Sequence, residues 1–476
     1  MGILSQTEMP RGGMMRLMGR FNNGCVTSTV LLTAALASWF PDSLVAAELS
    51  PGDLIVADIG RDAVFRIDPI TGDRTVLTGM GVGSGTSLLQ VRGVAIDRWG
   101  QIYVTDAEST RRRVVRIDPI SGTRTLVSGM DRGTGPNLVA PFALAFDSDG
   151  ELYLSDISTG LDAIFHIDIR TGDRTIVSSS SMGTGPIFGN PTTLAFDASD
   201  SLLVGDQVLD GIFSVDVGSG NRTIVSNVSR GTGPPIDTPL GMGIAADGMI
   251  YVATLSGGLT NSSSSVVGVN PATGNRLTVS SSSVGSGPEF ASIRGLSIDA
   301  AQNLFVVDVE LDAVLRVDRA SGNRTVISDG STGAGTTFDL PDPIAVVGML
   351  QLAGDYNGNH VVDAADYVVW RKRLGTTTTL PGDITPGLIS EDDYTVWRMN
   401  FGRSVSGGAA GVPEPGTILW VAGLFVAFLS QRPTSRPARA SVFKKDALSA
   451  SCSSAIGIAT GRGRLIAPRR DRMRRN

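Results

Sequence analysis

One five-residue phrase recurs six times at a nearly constant interval, and this recurrence limits the fold more than any other feature of the chain. It reads TGDRT at Thr71–Thr75, then SGTRT, TGDRT, SGNRT, TGNRL and SGNRT, with its glycines at Gly72, Gly122, Gly172, Gly220, Gly274 and Gly322. The steps are 50, 50, 48, 54 and 48 residues. Each full unit holds four short strand-like runs, as in VRGVAID, QIYVTD, RVVRIDP and RTLVSG between Val91 and Gly129. Apolar residues alternate or cluster over a few positions in each run, with Gly, Asp, Pro and Ser between the runs. Four strands at this period fit a propeller blade.

The ends of the array sharpen this expectation. The first unit, from Asp53, has only three runs, and the missing first run stands far downstream as DPIAVV at Asp342–Val347. Three N-terminal strands plus one C-terminal strand complete a blade, so the array is expected to close into six blades. An open stack would leave sheet faces and edges unpaired. In the repeated phrase, Gly supplies a positive φ for a tight turn. The arginines that follow, Arg74, Arg124, Arg174, Arg222, Arg276 and Arg324, are expected to pair with Asp68, Asp118, Asp168, Asp216 and Asp318, with Asn270 standing in the fifth unit. Glycine pairs at Gly133, Gly183, Gly231 and Gly285 read as loops between one blade and the next.

Composition agrees with an all-β body. Charged residues make up only 18% of the 476-residue chain. The formal charge of -6 hides a split: residues 431–476 hold 12 Arg or Lys and 2 Asp, a net of +10, so the rest sums to -16. An acidic body argues against nucleic acid as a partner. The two cysteines, Cys25 and Cys452, lie outside the array, so no disulfide framework holds it.

Two series of aspartates end strands: Asp58, Asp106, Asp156, Asp206 and Asp308 after the second, and Asp97, Asp147, Asp197 and Asp299 after the first. A carboxylate ring near the axis would suit a divalent cation, while the turn preference of Asp accounts for the same positions. The array, 51–349, resembles the NHL and gluconolactonase-like six-bladed propellers. That resemblance implies either a binding scaffold or a metal-dependent lactone or glycan hydrolase or lyase. Such lyases use histidine, and this chain has only His166 and His360. No catalytic residue is assigned, and a binding role is expected, with polysaccharide or an envelope protein among the partners.

A different element follows at 353–403. DYNGNHVVDAAD, Asp355 to Asp366, spaces oxygen-bearing side chains as a twelve-residue calcium loop does. Asp355, Asn357, Asn359, Asp363 and Asp366 are the side-chain ligands expected, with the Val361 carbonyl. A second copy is visible in the shared DY and WR pairs: Asp366-Tyr367 and Trp370-Arg371, then Asp393-Tyr394 and Trp397-Arg398. The segment resembles the dockerin type I repeat, an all-α pair of EF-hand-like units whose loops end in Asp. The resemblance implies bound calcium and a cohesin-like partner. The second loop is shorter, so Asp383, Thr385 and Asp393 form at best a weak second site. His360 stands at loop position six, where Gly is usual, and must take a backbone unfavourable for a residue with a Cβ.

Both ends read as addresses. Arg11, Arg16 and Arg20 precede an apolar stretch from Val26 to Phe40, so 1–47 is expected to be an export signal. After a linker at 404–412, Pro413-Glu414-Pro415 precedes the apolar run Gly416–Ser430 and then Arg432. Residues 413–432 resemble the PEP-CTERM sorting signal, in a combination resembling planctomycete exported proteins. This implies an exosortase-type partner, a transmembrane helix, and export with membrane anchoring before processing. At about 1.5 Å per residue the apolar run spans about 22 Å, short of a bilayer core of about 30 Å. Residues 433–476 read as a basic tail.

Overall fold

The structure, a computed structural model, describes residues 48–158, 160–256, 263–384 and 387–404. The expected signal at 1–47 and everything from 405 onward lie outside the described residues.

The array is an all-β propeller of six four-stranded sheets. The first blade combines β1 (Leu54–Asp58), β2 (Ala63–Ile67) and β3 (Arg74–Thr78) with a strand from the far end of the array. The second comprises β4 (Val91–Ile96), β5 (Ile102–Asp106), β6 (Arg113–Ile117) and β7 (Arg124–Ser128). The third has β8 (Pro141–Phe146), β9 (Leu152–Asp156), β10 (Ala163–Ile167) and β11 (Arg174–Ser178). The fourth has β12 (Pro191–Phe196), β13 (Leu202–Asp206), β14 (Gly211–Val215) and β15 (Arg222–Ser226). The fifth has β16 (Pro239–Ile244), β17 (Ile250–Ser256), β18 (Ser263–Val269) and β19 (Arg276–Ser280). The sixth has β20 (Ile293–Ile298), β21 (Leu304–Asp308), β22 (Ala313–Val317) and β23 (Arg324–Ser328). The borrowed strand is β24 (Pro341–Val346), antiparallel to β1 with Leu54 opposite Val346 and Val56 opposite Ile344. The displaced run foreseen in DPIAVV therefore closes the ring.

Apolar strand faces pack blade against blade. One cluster joins Ile55, Ala57 and Val64 of the first blade to Val94, Val104 and Val115 of the second. Another joins Leu54, Val56 and Phe65 to Phe305, Val307 and Val314, sealing the sixth blade onto the first. β24, β4, β8, β12, β16 and β20 adjoin one another in a ring around the axis.

The arginine of each repeat does something other than the expected ion pairing. Arg174 reaches back to the preceding blade, where Nη1 donates to Ser128 Oγ (3.0 Å), Gly129 O (3.1 Å) and Arg132 O (3.0 Å), and Nε to Pro136 O (2.7 Å). Asp68, Asp118 and Asp168 instead accept amide bonds inside their own turns. The expected pairing is corrected for a geometric reason: the carboxylate is used up by its turn, while the guanidinium meets a ring of carbonyls. The same contact closes the circle, with Arg74 Nη1 donating to Ser328 Oγ (2.6 Å) and Asp329 O (2.7 Å). Ser328 Oγ in turn donates to Gly72 O (2.7 Å).

The glycine loops run along the outer edge of the next blade. Arg174 N donates to Thr134 O (2.9 Å), and a Cβ on Gly133 would stand 1.8 Å from Gly172 O. With φ of +80° and that close approach, only glycine fits.

Two helices follow, α1 (Ala364–Arg373) and α2 (Glu391–Asn400). Each begins with a capping box: Asp363 with Asp366, and Ser390 with Asp393. Tyr356, Trp370, Leu380 and Ile389 form their common core.

Candidate functional site

The aspartates that end second strands in the propeller are buried and bonded to backbone. Asp58, Asp106, Asp156, Asp206 and Asp308 are all inaccessible to solvent. Asp156 accepts from Val139 N (2.7 Å) and Ala140 N (3.0 Å), and Asp308 from Ala291 N (2.7 Å) and Ser292 N (3.0 Å). Asp106 holds Arg113 through Nε (3.0 Å) and Nη2 (2.9 Å). Asp97 and Asp299 accept amides within their own turns. These carboxylates tie loops to strands. Burial pushes the Asp58 carboxyl up to about 6, against the opposing pull of its bonds from the Asp339 and Arg61 amides. His166 pairs with Glu151 (2.6 Å) against the edge of Tyr153.

The loop from Asp355 to Asp366 is held by its own side-chain oxygens. Asp355 Oδ1 accepts from Gly358 N (2.9 Å) and Asn359 N (3.1 Å), and its Oδ2 from His360 N (2.7 Å). Asn357 Oδ1 accepts from Asn359 N (2.9 Å), and Asn359 Oδ1 from Val361 N (3.0 Å). Asp366 closes the loop, accepting from Asn357 N (3.0 Å) and Asp363 N (2.8 Å). His360 adopts φ of +65°, the left-handed backbone this loop needs at its sixth residue.

Does this donor set fit a hard dication? Asp355 and Asp366 are 3% and 0% exposed, and among the described residues no cationic side chain bonds to either. Burial, then the charges of Asp355 and Asp363, push the Asp366 carboxyl above its usual range. A carboxylate offers about four lone-pair sites, and Asp366 uses two of them on amides. Crowded carboxylates with spare lone pairs, amide oxygens and one carbonyl in twelve residues match calcium's preference for six to eight oxygens. By residue type the set suits the ion, although among the described residues no three acidic, His or Cys side chains gather closely enough to hold a metal as they stand. In the second unit, Asp393 Oδ2 accepts from Ser390 N (2.7 Å) and Asp383 is 9% exposed, while Thr385 lies outside the described residues.

The two units exchange bonds, which sequence reasoning did not foresee. Trp397 Nε1 donates to Asp363 O (2.8 Å) and Trp370 Nε1 to Ser390 O (2.8 Å), so each indole is tied to the N-cap residue of the opposite helix. Gly402 N and Val362 O (2.8 Å) mirror Gly375 N and Ile389 O (2.9 Å). The repeated WR pair was the available signal.

The membrane expectation needs correction. Among the described residues no helix is long and apolar enough to cross a membrane. The longest helices there, α1 and α2, have 10 residues each and carry charge along their length. The transmembrane helix, the membrane as a partner and membrane-anchored localisation are therefore withdrawn. Pro413, Glu414, Pro415 and the apolar run after them lie outside the described residues.

No protein-family model and no curated protein matches the sequence. Among solved structures, a chain of a nidogen/laminin complex matches with a TM-score of 0.47 at 16% identity, covering 63% of this chain and 99% of that one. Virginiamycin B lyase from Staphylococcus aureus matches with a TM-score of 0.36 at 14% identity, covering 51% of this chain and 70% of that one. A catalytically inactive variant of that lyase with quinupristin gives 0.39 at 13%, covering 58% and 84%.

Proposed function

We propose that this chain is a calcium-dependent binding protein. A propeller of the NHL and gluconolactonase-like kind supplies the binding surface, and a helix pair of the dockerin type I kind holds the ion. The observation that carries this reading is the pair of buried carboxylates, Asp355 and Asp366, that open and close a loop rich in side-chain oxygens. Asp355, Asn357, Asn359, Asp363, Asp366 and the Val361 carbonyl are the ligands proposed. Calcium would supply the positive charge that these carboxylates lack, fixing the loop and through it the start of α1. Because the Asp363 carbonyl receives the Trp397 indole, order in the loop passes directly to α2.

Calcium titration of the full chain, followed by calorimetry and tryptophan fluorescence, tests the reading. One strong site is expected, with the helix pair stabilised by about 2.7 kcal/mol at a hundredfold excess over Kd. Asp355→Ala and Asp366→Ala should each abolish the heat and the fluorescence change. A wild-type chain that gives neither signal ends the calcium assignment. Turnover of a lactone or glycan panel, lost on chelation, would replace the binding role with an enzymatic one.

A further inference from the structure

Closure of the ring brings six residues to one level around the axis: Arg92, Phe142, Thr192, Leu240, Arg294 and Asp342, each second in its innermost strand. Pairing of these strands with their neighbours shifts register at this level in every blade. Such bulges re-aim side chains. The strands also approach closely here: a Cβ on Gly93 would stand 2.1 Å from Phe142 O, and one on Gly241 2.3 Å from Leu296 N.

Three of the six carry charge, and they are neighbours across the point of closure. Arg92 Nη1 stands 3.8 Å from Asp342 Oδ2 and Arg294 Nη1 stands 3.6 Å from it. Asp342 is buried, whereas the two arginine side chains are 31% and 33% exposed. Both separations exceed ordinary hydrogen-bond length. Arg294 acts on the Asp342 carboxylate through its charge and a long hydrogen bond and Arg92 through charge alone, while Arg294 Nε is buried without a partner among the described residues. Two planar forks thus share one carboxylate, each at long range. This differs from the repeat arginines, whose donors are consumed by carbonyls. The rest of the ring is mostly apolar, with Phe142 and Leu240 half-buried and the Thr192 hydroxyl donating to Pro239 O. One arc of the mouth is therefore cationic and donor-rich, and the other is apolar.

We infer that this axial mouth binds a small carboxylate with an apolar body, the carboxylate taken by the Arg92 and Arg294 forks and the body lying against Phe142 and Leu240. Guanidinium forks match carboxylates in a bidentate manner, which suits this class over a point anion. The inference names the ligand class of the binding surface proposed above and rests on that reading.

Phenylacetate is the probe, with phenylacetamide as its neutral counterpart, in calorimetric titrations of the full chain at low ionic strength. Saturable binding of the acid, no binding of the amide, and weakening with added salt are expected. Arg92→Gln and Arg294→Gln should each weaken binding by about tenfold or more. Asp342→Asn discriminates further. It removes the internal carboxylate competing for both forks, so binding should tighten, whereas a purely structural triad would lose stability and gain no affinity. The site is overturned by a wild-type chain that ignores the acid, by equal binding of the amide, or by undiminished binding in the two arginine variants. The acid-against-amide comparison needs no variant, so it decides even if a substitution prevents folding. Calcium binding is measured separately on the same protein, so failure of either site is distinguishable from failure of the other. Conversion of the probe would overturn the binding-only role alone.

Discussion

Arg174 is 6% exposed and among the described residues has no carboxylate at ion-pair distance; carbonyls and a hydroxyl from the preceding blade hold it. Burial pushes its guanidinium down from the ordinary value, yet arginine remains charged at any working pH. Its worth is therefore that of several charge-assisted bonds set against desolvation. Arg174→Ala leaves Gly129 O, Arg132 O and Pro136 O without this donor and should cost about 3 kcal/mol in urea unfolding. Arg174→Lys should recover only part, since a compact ammonium cannot span the same acceptors. An unchanged midpoint in the alanine variant would show that the blades are held without the clamp. Asp58 makes a different prediction. Its folded pKa of about 6 lies above the unfolded 3.8, so the fold holds the proton more tightly than the unfolded chain does. The stability it contributes is fully present below about pH 3.8 and is lost as pH rises through about 6. Asp58→Asn cannot titrate. The unfolding free energy of wild type relative to that variant should therefore fall by about 2 kcal/mol between about pH 4 and about pH 7. Urea titrations at the two pH values measure it, and a constant difference would disprove the shift.

At the scale of strands and loops, what was legible depended on whether the partner was nearby in sequence or named by residue type. Strands showed in their alternation, and the blade shared between the ends showed because GVAID-like runs were countable. The loop from Asp355 to Asp366 could be proposed for calcium from the sequence because its proposed ligands are mostly side chains at fixed spacing. The arginine clamp was not, because its acceptors are backbone oxygens some forty residues away, as with Arg174 and Pro136 at a separation of 38. Backbone atoms carry no letter. A further periodic signal went unused. The third residue after the second glycine of each loop is apolar, as in Leu138, Phe188 and Phe338, and all three are buried. Phe188 and Phe338 lie beneath Arg222 and Arg74, with 5.5 Å between guanidinium carbon and ring centre in both. The exchanged indole bonds of α1 and α2 were hidden for the same reason as the clamp, since both end on main-chain carbonyls. The axial mouth was hidden for the opposite reason. Its residues differ from blade to blade, so repetition could not single them out, and only closure joins Arg92 and Arg294 to Asp342.

At the scale of the whole molecule, closure turns six similar sheets into one cooperative body. The junction between the sixth and first blades repeats the devices of the other junctions: an apolar cluster, the Ser328 to Gly72 bond and the Arg74 clamp. It adds one device of its own, the pairing of β24 with β1. Joining ends so far apart in the chain costs entropy, but that cost grows only with the logarithm of the loop length. One sheet's hydrogen bonds and apolar contacts can offset it. Without β24, β1 becomes an exposed inner edge, and the apolar contacts that Ile344 adds to the closing cluster are lost. Two shortened chains separate this from any effect of the helix pair. A chain ending at residue 349 keeps β24 and should unfold in urea as a single steep transition. A chain ending at residue 340 lacks it and should unfold earlier and with a smaller slope, because less surface is buried in its folded state. Its axial mouth, missing the inner wall of the first blade that holds Arg92 and Arg294 in place from either side, should also lose selectivity for the acid over the amide. Equal midpoints and slopes in the two chains would mean that the blades stack without needing the circle.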